Sequence, residues 1–169
     1  DIVLDEVQGG RQALESIRAH PLREGGYIAK HTLVHVYRQR VEDGRLEEDP
    51  VLLSRIRMKP IRSLSGVSTV TVLTKPYPCP GRCLFCPADE RLPKSYLKEE
   101  PGAARAFQNR FDPYLQVTSR LESYAAIGHP TQKIELLILG GSWSAYPKPY
   151  RKWFVQRCFD ALNGTSSEN

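Results

Sequence analysis

No stretch of this sequence approaches the roughly 18 consecutive apolar residues that a membrane-spanning helix requires, so a helical membrane protein is excluded. Glycine and proline, 12 and 13 of 169 residues, are too scarce for a collagen-like or low-complexity chain. No positively charged lead followed by an apolar run opens it, so no secretory signal is expected and a cytoplasmic setting is. The first residue is Asp1 rather than methionine, which points to a piece of something longer. What remains is about one domain's worth of material, enough to bury a core.

Acid is missing where base is concentrated. The net charge is a modest +5, but residues 50–88 contain no Asp or Glu and carry Arg55, Arg57, Lys59, Arg62, Lys75 and Arg82. A one-signed stretch of this kind suits a polyanion or phosphate ligand. A solvated face that happens to lack acids fits charge alone equally well.

Cysteine is also sparse, with Cys79, Cys83, Cys86 and Cys158 the only four, yet three fall within eight positions. Without a secretion signal, clustered thiols point to metal or redox chemistry rather than a disulfide framework. A structural zinc site would need a fourth ligand, for which Cys158, His20, His31, His35 and His129 are the candidates. An iron–sulfur cluster on three thiolates would leave one iron open to a further ligand. Cys158 shares a helical face with Tyr150 and Phe154 and is expected in the core.

Apolar spacing predicts helices over residues 11–20, over a segment containing Leu33, Val34, Tyr37 and Val41, and from Asp49-Pro50 toward Pro60. At Ser65-Gly66 the period changes, and residues 67–74 are β-branched like a strand that leads directly into the cysteine loop. Helices are expected over 101–110 and from Asp112-Pro113 to Gly128. Residues 134–139 form a nearly continuous apolar run, read as a buried parallel strand covered on both faces. Gly140-Gly141 and a last helix over 149–162 follow. The order strand, cysteine loop, helix, strand, glycine loop, helix makes two βα units with both loops at strand carboxyl ends, where α/β proteins place ligands.

Cys79-x3-Cys83-x2-Cys86 after a first strand resembles the signature of radical S-adenosylmethionine enzymes. The likeness sharpens in Lys59-Pro-Ile-Arg62, Lys75-Pro76, Cys86-Pro87, Pro93-Lys-Ser-Tyr96 and Arg110-Phe-Asp-Pro-Tyr114, which resemble the catalytic subunit family of Elongator. It runs over about residues 55–164, with a weaker match before it.

The resemblance implies an incomplete TIM-like (β/α) radical S-adenosylmethionine barrel over residues 63–169, preceded by a helical transfer RNA-binding region over 1–62. It implies a 4Fe–4S cluster on Cys79, Cys83 and Cys86. S-adenosylmethionine would lie near Phe85, Gly140 and Gly141, and RNA near Arg55, Arg57, Lys59, Arg62 and Lys75. The family adds a carboxymethyl group to wobble uridine 34 of transfer RNA, with acetyl-coenzyme A as the two-carbon source. No catalytic side chain is assigned. An acetyltransferase domain is absent from these residues, so this stretch alone is expected to lack the overall reaction. The remainder of such an enzyme, transfer RNA, and a second copy or Elongator-type subunits are the expected partners. The competing expectation is a zinc-stabilised RNA-binding module without catalysis.

Overall fold

The computed structural model describes residues 1–87 and 89–165; Ala88, at the end of the acid-free stretch, and residues 166–169 lie outside them. Two compact units emerge, one of residues 1–68 with 122–133, the other of residues 69–121 with those from 134 onward.

The first unit is helical: α1 (Ile2–Gln8), α2 (Ala13–Ala19), α3 (Lys30–Glu42) and α4 (Pro50–Ile56). Its core joins Val3, Leu4 and Val7 to Ile17, Leu33, Val34, Tyr37, Leu52 and Ile56. The helix over residues 2–8 adds an element to the helical segment expected over residues 1–62. Val3, Leu4 and Val7 sit at one-face spacing, and burial against α2, α3 and α4 stabilises a helix too short to persist alone. Asp49 starts α4 as expected: its carboxylate accepts the Val51 N–H at 2.8 Å and the Leu52 N–H at 3.0 Å, a cap worth about 1 kcal/mol. Glu6 gathers Arg11 (2.8 Å), Ser16 (2.5 Å) and His20 (2.9 Å), tying α1 to the following segment.

The second unit is α/β. Strands β1 (Ser68–Leu73) and β2 (Ile134–Leu139) pair with each other. Ser68 N–H meets the Lys133 carbonyl and Thr74 N–H the Leu139 carbonyl, both at 3.0 Å, so the strands run parallel. Between them lie α5 (Pro101–Gln108) and α6 (Pro113–Ala126), and after β2 comes α7 (Lys148–Asn163). Asp112 receives the Leu115 N–H at 2.9 Å at the start of α6. Gly164 ends α7 in the left-handed region, at φ 65°. Val70, Val72, Val117, Phe154 and Cys158 are fully buried.

Burial of β2 departs from expectation. Exposure alternates along it, with Leu137 at 41% and Leu139 at 37% on the open side, so the strand is not covered on both faces. β1 is the one neighbour of β2 among the described residues, and no layer there shields its outer face. The far edge of β1 is closed differently. Leu73 N–H donates to Gln116 Oε1 at 2.9 Å, and Gln116 Nε2 donates to the Leu73 carbonyl at 3.0 Å. One buried amide side chain on α6 thus replaces a missing strand at the residue before the cysteine loop begins.

Candidate metal centre

Where β1 ends, two tyrosines hold the chain. Tyr146 donates its hydroxyl to the Lys75 carbonyl at 2.7 Å, which leaves Thr74 Oγ1 to donate to the Tyr146 oxygen at 2.8 Å. Lys75 N–H donates to the Tyr150 hydroxyl oxygen at 3.2 Å, and the Lys75 ammonium lies 5.0 Å from that ring. Burial pushes the Tyr150 phenol up to about 12, so it stays neutral at physiological pH. The cysteine loop therefore leaves the sheet from a fixed point.

The loop brings its three cysteines to one concavity of about 470 Å³, lined also by Lys94, Ser95, Gly140, Gly141 and Ser142. All three thiols are free; Cys83 is exposed and Cys79 and Cys86 are half-buried. A Cβ on Gly81 would stand 3.5 Å from Cys79 Sγ and 3.6 Å from Cys83 Sγ, so these two sulfurs flank one point. Among the described residues no three His, Cys, Asp or Glu side chains converge closely enough for a single metal ion. A tetrahedral zinc with Zn–S bonds of about 2.3 Å needs sulfurs about 3.8 Å apart.

The Ser142 hydroxyl lies 3.3 Å from Cys79 Sγ, and the Ser95 hydroxyl 3.5 Å from Cys86 Sγ. The Cys79 thiol is held below its ordinary range, first by the Ser142 hydroxyl, then by the Gly81 backbone N–H, with the Ser142 N–H and the Lys94 charge adding to these. Cys158 behaves oppositely: on the buried face of α7, it is pushed up to about 12, first by burial, and remains an inert core thiol.

The glycine loop is tight for a reason internal to the fold. A Cβ on Gly140 would fall 2.0 Å from Thr74 Oγ1, whereas one on Gly141 would meet only Lys94 Cβ, at an ordinary 3.8 Å. Gly140 is thus required by Thr74, and Gly141 is the residue whose bareness leaves room in the cavity. Phe85 is 94% exposed and does not line the cavity. Ser142 and Ser95 carry no assignment from the sequence, because only the fold carries them to the thiols.

The basic residues separate by what their guanidinium or ammonium groups touch. Arg57 Nε donates to the Gly128 carbonyl at 2.8 Å and is half-buried; Arg55 is exposed, with one nitrogen 3.2 Å from the Val7 carbonyl. Lys59, Arg62 and Lys75 are exposed. His129 is buried against Tyr124, its Nδ1 2.6 Å from the Ser63 hydroxyl, in a structural setting. The first unit holds a cavity of about 530 Å³, but Arg38 and Arg57 share it with Glu42 and Glu48 and no thiol lines it.

No family model matches the chain. Individual proteins do. A protein of Methanocaldococcus jannaschii named tRNA uridine(34) acetyltransferase is 38% identical over 99% of this chain and 32% of its own length. One of the same name from Dehalococcoides mccartyi is 45% identical over 61% of this chain. Elongator complex protein 3 of Drosophila melanogaster is 38% identical over 70% of this chain. The chain belongs to the Elongator catalytic subunit family. It spans 22 to 32% of the length of these relatives, so within the family it corresponds to a part. No helix among the described residues is long and apolar enough to cross a membrane.

Proposed function

We propose that this chain is the amino-terminal part of an enzyme that modifies uridine 34 of transfer RNA, adding a carboxymethyl group at the base by radical S-adenosylmethionine chemistry. The observation that carries the reading is the meeting of Cys79, Cys83 and Cys86 at one cavity beside Gly141, in a chain similar to proteins named for uridine 34. Cys79, Cys83 and Cys86 would hold a 4Fe–4S cluster. When bound, the cluster would supply the electron for reductive cleavage of S-adenosylmethionine. The residues present fit such a group: three thiols line one cavity, and the hydroxyl of Ser142 favours the thiolate at Cys79.

The rest of the assignment follows the chain's own side chains. Gly141 leaves its backbone accessible to a ligand in the cavity, and Lys94 places a positive charge there that suits a carboxylate. Phe85, standing free of the core, offers an aromatic face to a purine. Arg55, Lys59, Arg62 and Lys75 present exposed cations to phosphates, while Arg57 positions the backbone at Gly128. A barrel completed by further strands, an acetyltransferase domain using acetyl-coenzyme A, and Elongator-type subunits belong to the same proposal.

The test is product formation by the protein carrying this chain, given transfer RNA, S-adenosylmethionine and acetyl-coenzyme A under anaerobic conditions. Mass spectrometry of digested RNA is expected to find carboxymethyluridine at position 34, and Cys83→Ala to abolish it. An unmodified uridine 34 with a fully loaded protein would contradict the reading. Transfer RNA affinity should fall steeply with salt. Unchanged affinity in Arg55→Glu with Lys59→Glu would remove the proposed basic face.

A further inference from the structure

The three cysteines are not equivalent. Cys79 Sγ is met by the Ser142 hydroxyl at 3.3 Å. Cys86 Sγ has the Ser95 hydroxyl at 3.5 Å, and Cys83 lies open to solvent. Both hydroxyls reach the loop from outside it, Ser142 from the turn after β2 and Ser95 from the stretch before α5.

Among the described residues, Ser95 is also one of four non-glycine residues with positive φ, at 79°. An L-residue there costs on the order of 1 kcal/mol, and such strain persists where the surroundings hold it. Ser142 is fixed more firmly, because Gly140 ahead of it is locked against Thr74 and the 3-10 turn Trp143–Ala145 follows at once.

From this geometry we infer that Ser142, with Ser95 as a weaker second, is a positioning residue that donates a hydrogen bond to a cluster-ligating sulfur and thereby raises the reduction potential of the bound iron–sulfur cluster. The inference rests on the cluster reading above. A hydroxyl proton at a thiolate draws electron density from the sulfur and favours the more negative, reduced state of the cluster. The hydroxyl at Cys79 is the nearer of the two, 3.3 Å against 3.5 Å, and Cys86 Sγ also faces the Pro87 carbonyl at 3.7 Å, so Cys79 is the less electron-rich of these two ligands and biases the charge of the site. The consequence is a cluster more readily reduced by a cellular donor.

The experiment is a dye-mediated, EPR-monitored potential titration of the anaerobically reconstituted protein carrying this chain, compared with Ser142→Ala, Ser142→Thr and Ser95→Ala. Ser142→Ala is expected to bind the same iron and sulfide but to shift the reduction equilibrium about three- to tenfold toward the oxidised cluster; tenfold corresponds to 59 mV for one electron. Ser142→Thr, which keeps the hydroxyl, should stay near the parent, and Ser95→Ala should shift less than Ser142→Ala. A fully loaded Ser142→Ala with the parent potential overturns the inference and leaves the cluster reading standing. If Ser142→Ala does not retain the cluster, Ser142→Thr and Ser142→Val, alike in shape, carry the comparison, and equal potentials overturn it. A parent protein that takes up no iron and sulfide overturns the cluster reading and this inference with it.

Discussion

Gly140→Ala tests how tightly the fold holds the turn that carries Gly141 and Ser142. The new Cβ would lie 2.0 Å from Thr74 Oγ1 and 3.2 Å from Thr74 Cβ. Thr74 cannot turn its oxygen aside without losing the 2.8 Å bond to Tyr146, whose hydroxyl is already committed to the Lys75 carbonyl. A buried oxygen left without its partner costs about 1–3 kcal/mol, and overpacking of this kind a further 1–3 kcal/mol. A loss of about 2–6 kcal/mol is therefore expected in urea denaturation. Removing the obstacle should restore part of it. Thr74→Ala alone should cost about 1–2 kcal/mol, since Tyr146 keeps its bond to Lys75. The double variant should then be more stable than the two single losses predict, by at least about 1 kcal/mol, with a remainder from the 3.2 Å contact and from the Gly140 backbone at φ 157°, which an alanine adopts only with strain. Strict additivity would show that Thr74 is not what requires glycine at 140.

Gln116→Leu should cost about 2–4 kcal/mol, because it strands the buried N–H and carbonyl of Leu73 together; a thermal shift below 2 °C would contradict this. Glu6 is lowered from its ordinary 4.5 to about 2, first by the Ser16 hydroxyl, then by His20. Because the folded value is depressed, its stabilisation is complete above about 4.5 and is lost as pH falls toward 2. Glu6→Gln should accordingly flatten the acid dependence of helical-unit unfolding between those values, and an unchanged profile by circular dichroism would refute the assignment.

Much of this architecture was legible from local chemistry. Asp49-Pro50 and Asp112-Pro113 mark helix starts because a carboxylate cap and a preset φ act within one turn. The apolar run Ile134–Leu139 gave its strand with the right bounds, and Cys158 packs as its helical spacing predicts. What escaped depends on distant residues. The short α1 exists through contacts with α2, α3 and α4, and the open face of β2 reflects a missing layer, not its own residues. Gln116 looks like one more polar helix residue until Leu73 is placed beside it. The thiol cavity was half legible: the cysteine spacing announces the ligands, but Ser142, Ser95 and Lys94 reach them only through the fold. Gly140 lines the cavity as well, but its close approach to Thr74 Oγ1 joins residues 66 positions apart and is not visible in the sequence.

The central claim is that Cys79, Cys83 and Cys86 act together as ligands of one polynuclear centre. Elemental and sulfide analysis of anaerobically reconstituted protein tests it most directly, with the three Cys→Ala variants alongside. About four iron and four sulfide per chain, lost in each variant, is the predicted result. One tightly held zinc per chain that resists replacement by iron would contradict it.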